Sequence, residues 1–138
     1  MTIANVLEHL ERYAPLSLAQ SWDNVGLLIG DLKRPVNKVL ISLDVTPNAL
    51  AYAIENDFDL ILSHHPLIFR PLSSITNPVI LNMIEARISL ISMHTNFDAA
   101  LGGVNHALAD ALELQVQDSL GDPEAGDIGL ICSYPSPR

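Results

Sequence analysis

Two histidines stand side by side at His64-His65, directly before Pro66, and a third opens the segment His94-Thr95-Asn96-Phe97-Asp98. Imidazole and carboxylate are donors that zinc, iron, manganese and nickel accept. His64, His65, His94 and Asp98 are therefore candidate metal-site residues. Each group follows a short apolar run, residues 60–63 in one case and 88–93 in the other. Parallel strands bind ligands outside their carboxyl ends, so two such strands would bring these donors to one sheet edge. A metal-bound water can lose its proton near pH ~7, which makes hydrolysis accessible.

The roles within this set differ. Neighbouring side chains of an extended segment point to opposite faces, and Pro66 restricts His65 to an extended conformation. The pair therefore suits two neighbouring ions, or one ion and one structural hydrogen bond, better than joint chelation of one ion. Two ions roughly 3.5–4 Å apart can clamp a nucleophilic water. His94 reads as a ligand, or as a group that orients a ligand or moves a proton, and the second role is preferred. Asp44 either orients a ligand or makes an Asx turn before Thr46-Pro47. Trp22-Asp23-Asn24 fits a core tryptophan followed by an Asx turn. His9 and His106 fall inside helical patterns and read as surface or packing residues. Gly102-Gly103 before a helix could take a phosphate on backbone N–H groups, but no G-x-G-x-x-G or P-loop pattern accompanies it. Cys132 has no histidine nearby, and Ser63 beside His64 is not a nucleophile arrangement.

The elements that must position these residues follow from spacing. Thr2 caps an expected helix over 2–13 with a stripe of Ile3, Val6, Leu7 and Leu10, and Pro15 ends it. Residues 25–29 form a strand or tight loop. Residues 38–43 form a strand that closes on Asp44. Thr46-Pro47 then starts a helix to Glu55, which Asn56 would end in a left-handed conformation. After the strand at 60–63 comes a loop holding Pro66 and Pro71. Asn77-Pro78 starts a helix over 79–86, and 88–93 is the next strand. A helix over 104–112 follows the glycine pair. Residues 128–132 could add one more strand in a tail rich in Gly and Pro, around Pro123 and Gly126, that closes on a linker-like Pro-Ser-Pro-Arg. Strands alternating with single helices predict an α/β fold, a parallel or mixed sheet with flanking helices.

With 138 residues, 49% of them apolar, the chain is one domain with a sizeable core. No apolar run approaches the ~18–20 residues of a membrane helix. Glu8 and Glu11 stand where a signal peptide would carry an apolar segment, so the cytoplasm is the expected compartment. The single cysteine leaves no internal disulfide and no Cys-rich zinc site. The net charge is −9 with seven Lys and Arg, so nucleic-acid binding has no electrostatic footprint.

Three motifs occur in one order: Ser21-Trp22-Asp23-Asn24-Val25-Gly26-Leu27, Leu62-Ser63-His64-His65-Pro66-Leu67-Ile68-Phe69, and His94-Thr95-Asn96-Phe97-Asp98-Ala99-Ala100 with Gly103-Val104-Asn105. This series closely resembles the Nif-three-like family, whose members are often called GTP cyclohydrolase I type 2 homologues. The likeness runs from the first helix to about Pro137. It implies an α/β lobe with a dinuclear metal centre and two divalent ions per complete site. In the family pattern the adjacent histidines go to different ions, matching His64 and His65, and the aspartate of the third motif is a ligand, matching Asp98. It also implies homo-oligomeric rings, typically hexamers. One departure stands out. The family's remaining ligands lie in a C-terminal His-x-x-x-Glu segment, and nothing after Asp98 fits it. His106 is followed four residues on by Asp110, inside the wrong element. Family chains are also longer. Residues 1–120 are then expected to be the metal-ligand lobe, and 121–138 a tail or the start of a missing second half.

Two functions compete, with a third behind them. The first is a metal-dependent hydrolase of a nucleotide or related heterocycle, working through a metal-bound water, with His64, His65 and Asp98 holding metal and His94 handling a proton. The second is a metal-binding or delivery protein without turnover. The third is an oligomeric scaffold.

Overall fold

Leu60, Ile61, Leu90 and Ile91 are all fully buried. Consecutive residues of a strand face opposite ways, so both faces of the strands that carry them need cover. The computed structural model describes residues 1–121 and 128–134. In chain order it contains α1 (Ile3–Glu11), a 3-10 turn (Leu16–Leu18), β1 (Gly26–Ile29), β2 (Val39–Ser42), α2 (Pro47–Glu55), β3 (Leu60–Ser63), α3 (Pro78–Glu85), β4 (Ser89–Ser92), α4 (Thr95–Ala99), α5 (Val104–Ala111), β5 (Gln115–Ser119) and β6 (Leu130–Ser133). The Gly- and Pro-rich stretch around Pro123 and Gly126 and the Pro-Ser-Pro-Arg close lie outside the described residues. No helix among the described residues is long and apolar enough to cross a membrane.

Four strands make a mixed sheet in the order β1-β4-β3-β2. Strands β2, β3 and β4 run parallel, and β1 runs antiparallel to β4. Helix α1 covers one face, where Ile3, Ala14, Leu60, Ile91 and Met93 pack together. Helices α2 and α3 cover the other with Leu50, Ala53 and Met83 against Ile61 and Leu90. Each fully buried Leu or Ile contributes about 1.5–3 kcal/mol. Strands β5 and β6 pair antiparallel as a separate two-stranded sheet.

The register sets up the site. Ser42 pairs with Ser63 and Ser63 with Ser92, so the three parallel strands end level. Whatever follows them (Asp44, His64-His65 and His94) emerges along one edge. Because β1 is antiparallel, Gly26 at its start pairs with Ser92. Residues just before Gly26 therefore reach the same edge.

Caps at the helix starts agree with the sequence. Thr2 and Asn5 form a capping box, Thr46 accepts from the Ala49 N–H, and Asn77 accepts from the Val79 N–H. The end of α2 differs from expectation. Asn56 is the cap but has φ −113, and the left-handed residue is Asp57 at φ 53. The helix ends at Glu55 as expected, but the left-handed residue falls one position later because the Phe58 N–H reaches back to the Ala53 carbonyl, a Schellman closure with Asp57 as the left-handed residue. The same closure ends α3 at Arg87 and α5 at Glu113, with Ile88 bonded to Met83 and Leu114 to Ala109. Helix α4 and strand β5 carried no periodic signal. The first has five residues, and the second is mostly exposed and polar.

Gly103 joins α4 to α5. A Cβ there would lie 1.9 Å from the Phe97 carbonyl oxygen, which is backbone and cannot swing aside. Gly103→Ala is expected to destabilise the fold by about 3 kcal/mol, the upper part of the range for overpacking. It should also shift Asp98, whose carbonyl accepts from the Asn105 amide at 3.0 Å. A urea midpoint within experimental error of the parent would disprove the close approach.

Candidate metal centre

His64, His65 and His94 meet at the carboxyl edge. Their ring centroids are 5.1, 5.3 and 5.7 Å apart. One ring nitrogen of each lies within 4.8 Å of the others, close enough to share a metal site. The rings of His64 and His65 converge, although an extended pair should splay to opposite faces. Their backbones do continue the ladder beyond β3, through His64 N–H to the Ser42 carbonyl and His65 N–H to the Leu43 carbonyl.

Each imidazole is held through Nδ1. His64 Nδ1 is 2.9 Å from the Met93 carbonyl oxygen. A carbonyl only accepts, so Nδ1 carries a proton, and in the neutral ring Nε2 is then the nitrogen with the lone pair. His65 Nδ1 donates to Asp44 at 2.7 Å, and His94 Nδ1 donates to Asp23 at 2.9 Å. Three imidazoles thus have the tautomer that leaves Nε2 free, with the outer acceptors that ligating histidines use. Asp98 comes in from α4, with its Oδ1 3.5 Å from His64 Nε2. Two ligands on one tetrahedral ion with bonds near 2.0–2.1 Å sit roughly 3.4 Å apart, so His64 and Asp98 are spaced as a ligand pair.

Of the two readings of Asp44, its bond to His65 supports the orienting one. Asp23 is the residue that sequence reasoning missed. Its Asx turn is present, with Asn24 N–H donating to Oδ1 at 2.8 Å. The same side chain is fully buried and also accepts from His94, from the Thr95 N–H at 3.0 Å and from the Thr95 hydroxyl. Burial alone would push this carboxyl up. The hydrogen bonds from Thr95, His94 and Asn24 outweigh it and hold the group below its ordinary value. The only hint in the sequence was the motif around Trp22, and no local spacing ties Asp23 to a histidine 71 residues away.

The rest of the third motif is structural support. Asn96 is fully buried, accepts from the His94 N–H and donates to the Ala14 carbonyl. The expected core role of Trp22 is wrong: it is 57% exposed, because its loop lies at the sheet edge beyond α1. His9 is exposed against Tyr13, and His106 lies within α5 with its Nδ1 buried. Next to His64 an apolar groove of about 360 Å³ runs between Leu10, Tyr13, Ile41, Leu43 and Phe97.

The fold and site define an α/β protein with a preoriented histidine cluster at the carboxyl edge of a mixed sheet, able to hold metal. The pattern of the Duf34/NIF3 (NGG1p interacting factor 3) family matches residues 1–138, and the chain belongs to that family. It is 46% identical over 123 residues to the GTP cyclohydrolase 1 type 2 homolog of Halalkalibacterium halodurans, covering 83% of this chain and 33% of that protein. Staphylococcus aureus protein SA1388 superposes with a TM-score of 0.79 at 44% identity, over 83% of this chain and 39% of that one. Reduced HcgD from Methanocaldococcus jannaschii gives a TM-score of 0.81 at 33% identity, over 89% and 51%. The chain spans about a third of the length of the curated relatives it matches.

Proposed function

We propose that this chain is the metal-holding lobe of a metal-dependent hydrolase acting on a nucleotide or related heterocycle. The observation that carries the proposal is the convergence of three imidazoles, each with Nδ1 committed to an acceptor and Nε2 free, beside the Asp98 carboxylate. Neutral imidazole plus carboxylate suits zinc, iron, manganese or nickel. His64, His65 and Asp98 would hold the metal, with two ions in a complete site. A bound divalent ion supplies Lewis acidity and makes a water molecule acidic enough to yield hydroxide near neutral pH. His94 holds or moves a proton. Asp23 fixes its tautomer and orientation, as the third member of a base-orienting chain does. The names of the curated relatives support the hydrolase class. Residues 1–120 as the lobe, 121–138 as a tail or the start of a second half, and assembly into a homohexameric ring belong to the same proposal.

A second reading, metal delivery without turnover, is favoured by exposure. The side chains of His65 and Asp44 are 47% and 55% exposed, so one ligand stands open to exchange. His94→Ala separates the two. The hydrolase reading expects metal retained per chain and turnover of a nucleotide panel down about 100-fold or more. Loss of metal in that variant would move His94 into the ligand set and sink its proton role. A metal-loaded parent that turns over no nucleotide, yet passes zinc to an acceptor protein, would overturn the hydrolase reading.

A further inference from the structure

Two large aromatic side chains stand in the open beside the cluster. Trp22 is 57% and Phe69 42% exposed. Their ring centroids are 5.8 Å apart and the planes are inclined by 48°. Trp22 also sits 6.5 Å from the His94 ring, at 75°. Neither ring packs in a core cluster. Leaving both in water forgoes the burial that usually accounts for such residues.

The backbone beneath them is tied down. Asp23, next to Trp22, takes three hydrogen bonds from His94 and Thr95 that anchor its loop to the end of β4, and a fourth from Asn24 within the loop. Asn24 donates to the carbonyl of Ile68, the neighbour of Phe69, at 2.5 Å. One short loop thus links both aromatics to each other and to His94. Rings mounted on fixed backbone lose little freedom when something binds against them.

From this placement we propose that Trp22 and Phe69 form an aromatic wall that receives a planar heteroaromatic ring, with the edge of that ring turned toward the histidines. The inference rests on the hydrolase reading and names the class of molecule the site takes. Aromatic pairs sit with centroids roughly 4.5–7 Å apart, so a ring against Trp22 stays within reach of the cluster. The charge argues the same way. Asp23, Asp44 and Asp98 surround the imidazoles and the chain carries −9 overall, so the ring is held by its π face rather than through an anionic group. An aliphatic ligand would leave the polar edge of the cluster unmatched, whereas a heteroaromatic ring carries acceptors and exocyclic groups on its rim.

Trp22 is the only tryptophan, so emission excited selectively from tryptophan reports from this position alone. The chain, with zinc and separately with chelator, is titrated with guanosine, adenosine and cytidine, and with ribose and cyclohexanol as controls. Saturable quenching by the nucleosides, absent with both controls, is expected. Calorimetry should show nucleoside binding about 10-fold weaker in Trp22→Ala, as loss of one stacking partner implies, and within about 3-fold of the parent in Trp22→Phe. Zinc per chain should be unchanged in both variants. Unsaturable quenching, equal quenching by cyclohexanol, or parental affinity in Trp22→Ala would each overturn the proposal. Nucleoside binding in a chain that holds no zinc would leave the wall standing and remove the hydrolase reading. Zinc binding without nucleoside binding would do the reverse.

Discussion

A chain carrying His64→Ala is expected to bind zinc or manganese roughly 10²–10³-fold more weakly than the parent. The estimate comes from the total: zinc sites of about four ligands hold their metal by about 10–16 kcal/mol, so one ligand accounts for about 3–4 kcal/mol. His64 is the most committed member of the cluster. Its Nδ1 proton is spent on a backbone carbonyl, its Nε2 faces Asp98 at 3.5 Å, and its side chain is only 21% exposed. Water entering in its place would find the Met93 carbonyl and Asp98 but no neutral nitrogen donor. His65→Ala should cost less, because its ring is half exposed and solvent already has access. Asp44→Ala should cost least, near the 10–100-fold typical of an outer partner, since it only orients His65. Competition against a chromogenic chelator measures all three. Parental affinity in His64→Ala, or an inverted order with Asp44 largest, would place the metal elsewhere.

Much of this was legible in the chain, and the reason is local. Each parallel strand is bracketed by signals that act within a few residues: Thr46-Pro47 and Asn77-Pro78 open helices through short-range hydrogen bonds, and the apolar runs at 60–63 and 88–93 are buried on both faces. Once those strands run parallel and end level, His64, His65 and His94 must share an edge. What was not legible depends on β1. A four-residue strand that starts on one glycine and stops before another does not announce its direction, and only the antiparallel pairing of Gly26 with Ser92 carries the preceding loop to the cluster. That pairing turns Asp23 from an Asx-turn residue into the anchor of His94, and it sets Trp22 at the sheet edge instead of in the core. The converging rings of His64 and His65 were likewise unreadable. Pleat alternation places Cβ atoms, and the side-chain torsions beyond them answer to Met93 and Asp44, which lie far along the chain.

Asp23→Asn, a change of one heavy atom, should damage both the fold and the metal site. Four donors converge on two oxygens: His94 Nδ1–H and Asn24 N–H on Oδ1, and the Thr95 N–H and hydroxyl on Oδ2. An amide offers one oxygen. Whichever way it turns, two donors face an NH2 group. The Thr95 hydroxyl oxygen, which accepts from the Gln20 N–H at 3.0 Å, has a second lone pair to offer an amide, but turning that way takes its proton off the acceptor it has in the parent. Buried unsatisfied groups cost about 1–3 kcal/mol each, so a loss of about 3 kcal/mol in metal-free stability is expected, with metal affinity down about 10–100-fold as His94 loses its fixed tautomer. The pH dependence gives a second, independent mark. A carboxyl whose folded-state value is depressed stabilises the fold above its ordinary value of 3.8, and that contribution drains away as pH falls through the lower folded-state value. The unfolded chain binds the proton first, so parental stability must decline with acid while the asparagine variant lacks that share of the decline. The gap between the two proteins, read by urea denaturation with chelator present from about pH 6 down to about pH 3, should therefore narrow as acid is added. A gap that stays constant over that range would mean that the carboxylate charge contributes nothing and that Asp23 acts through shape alone.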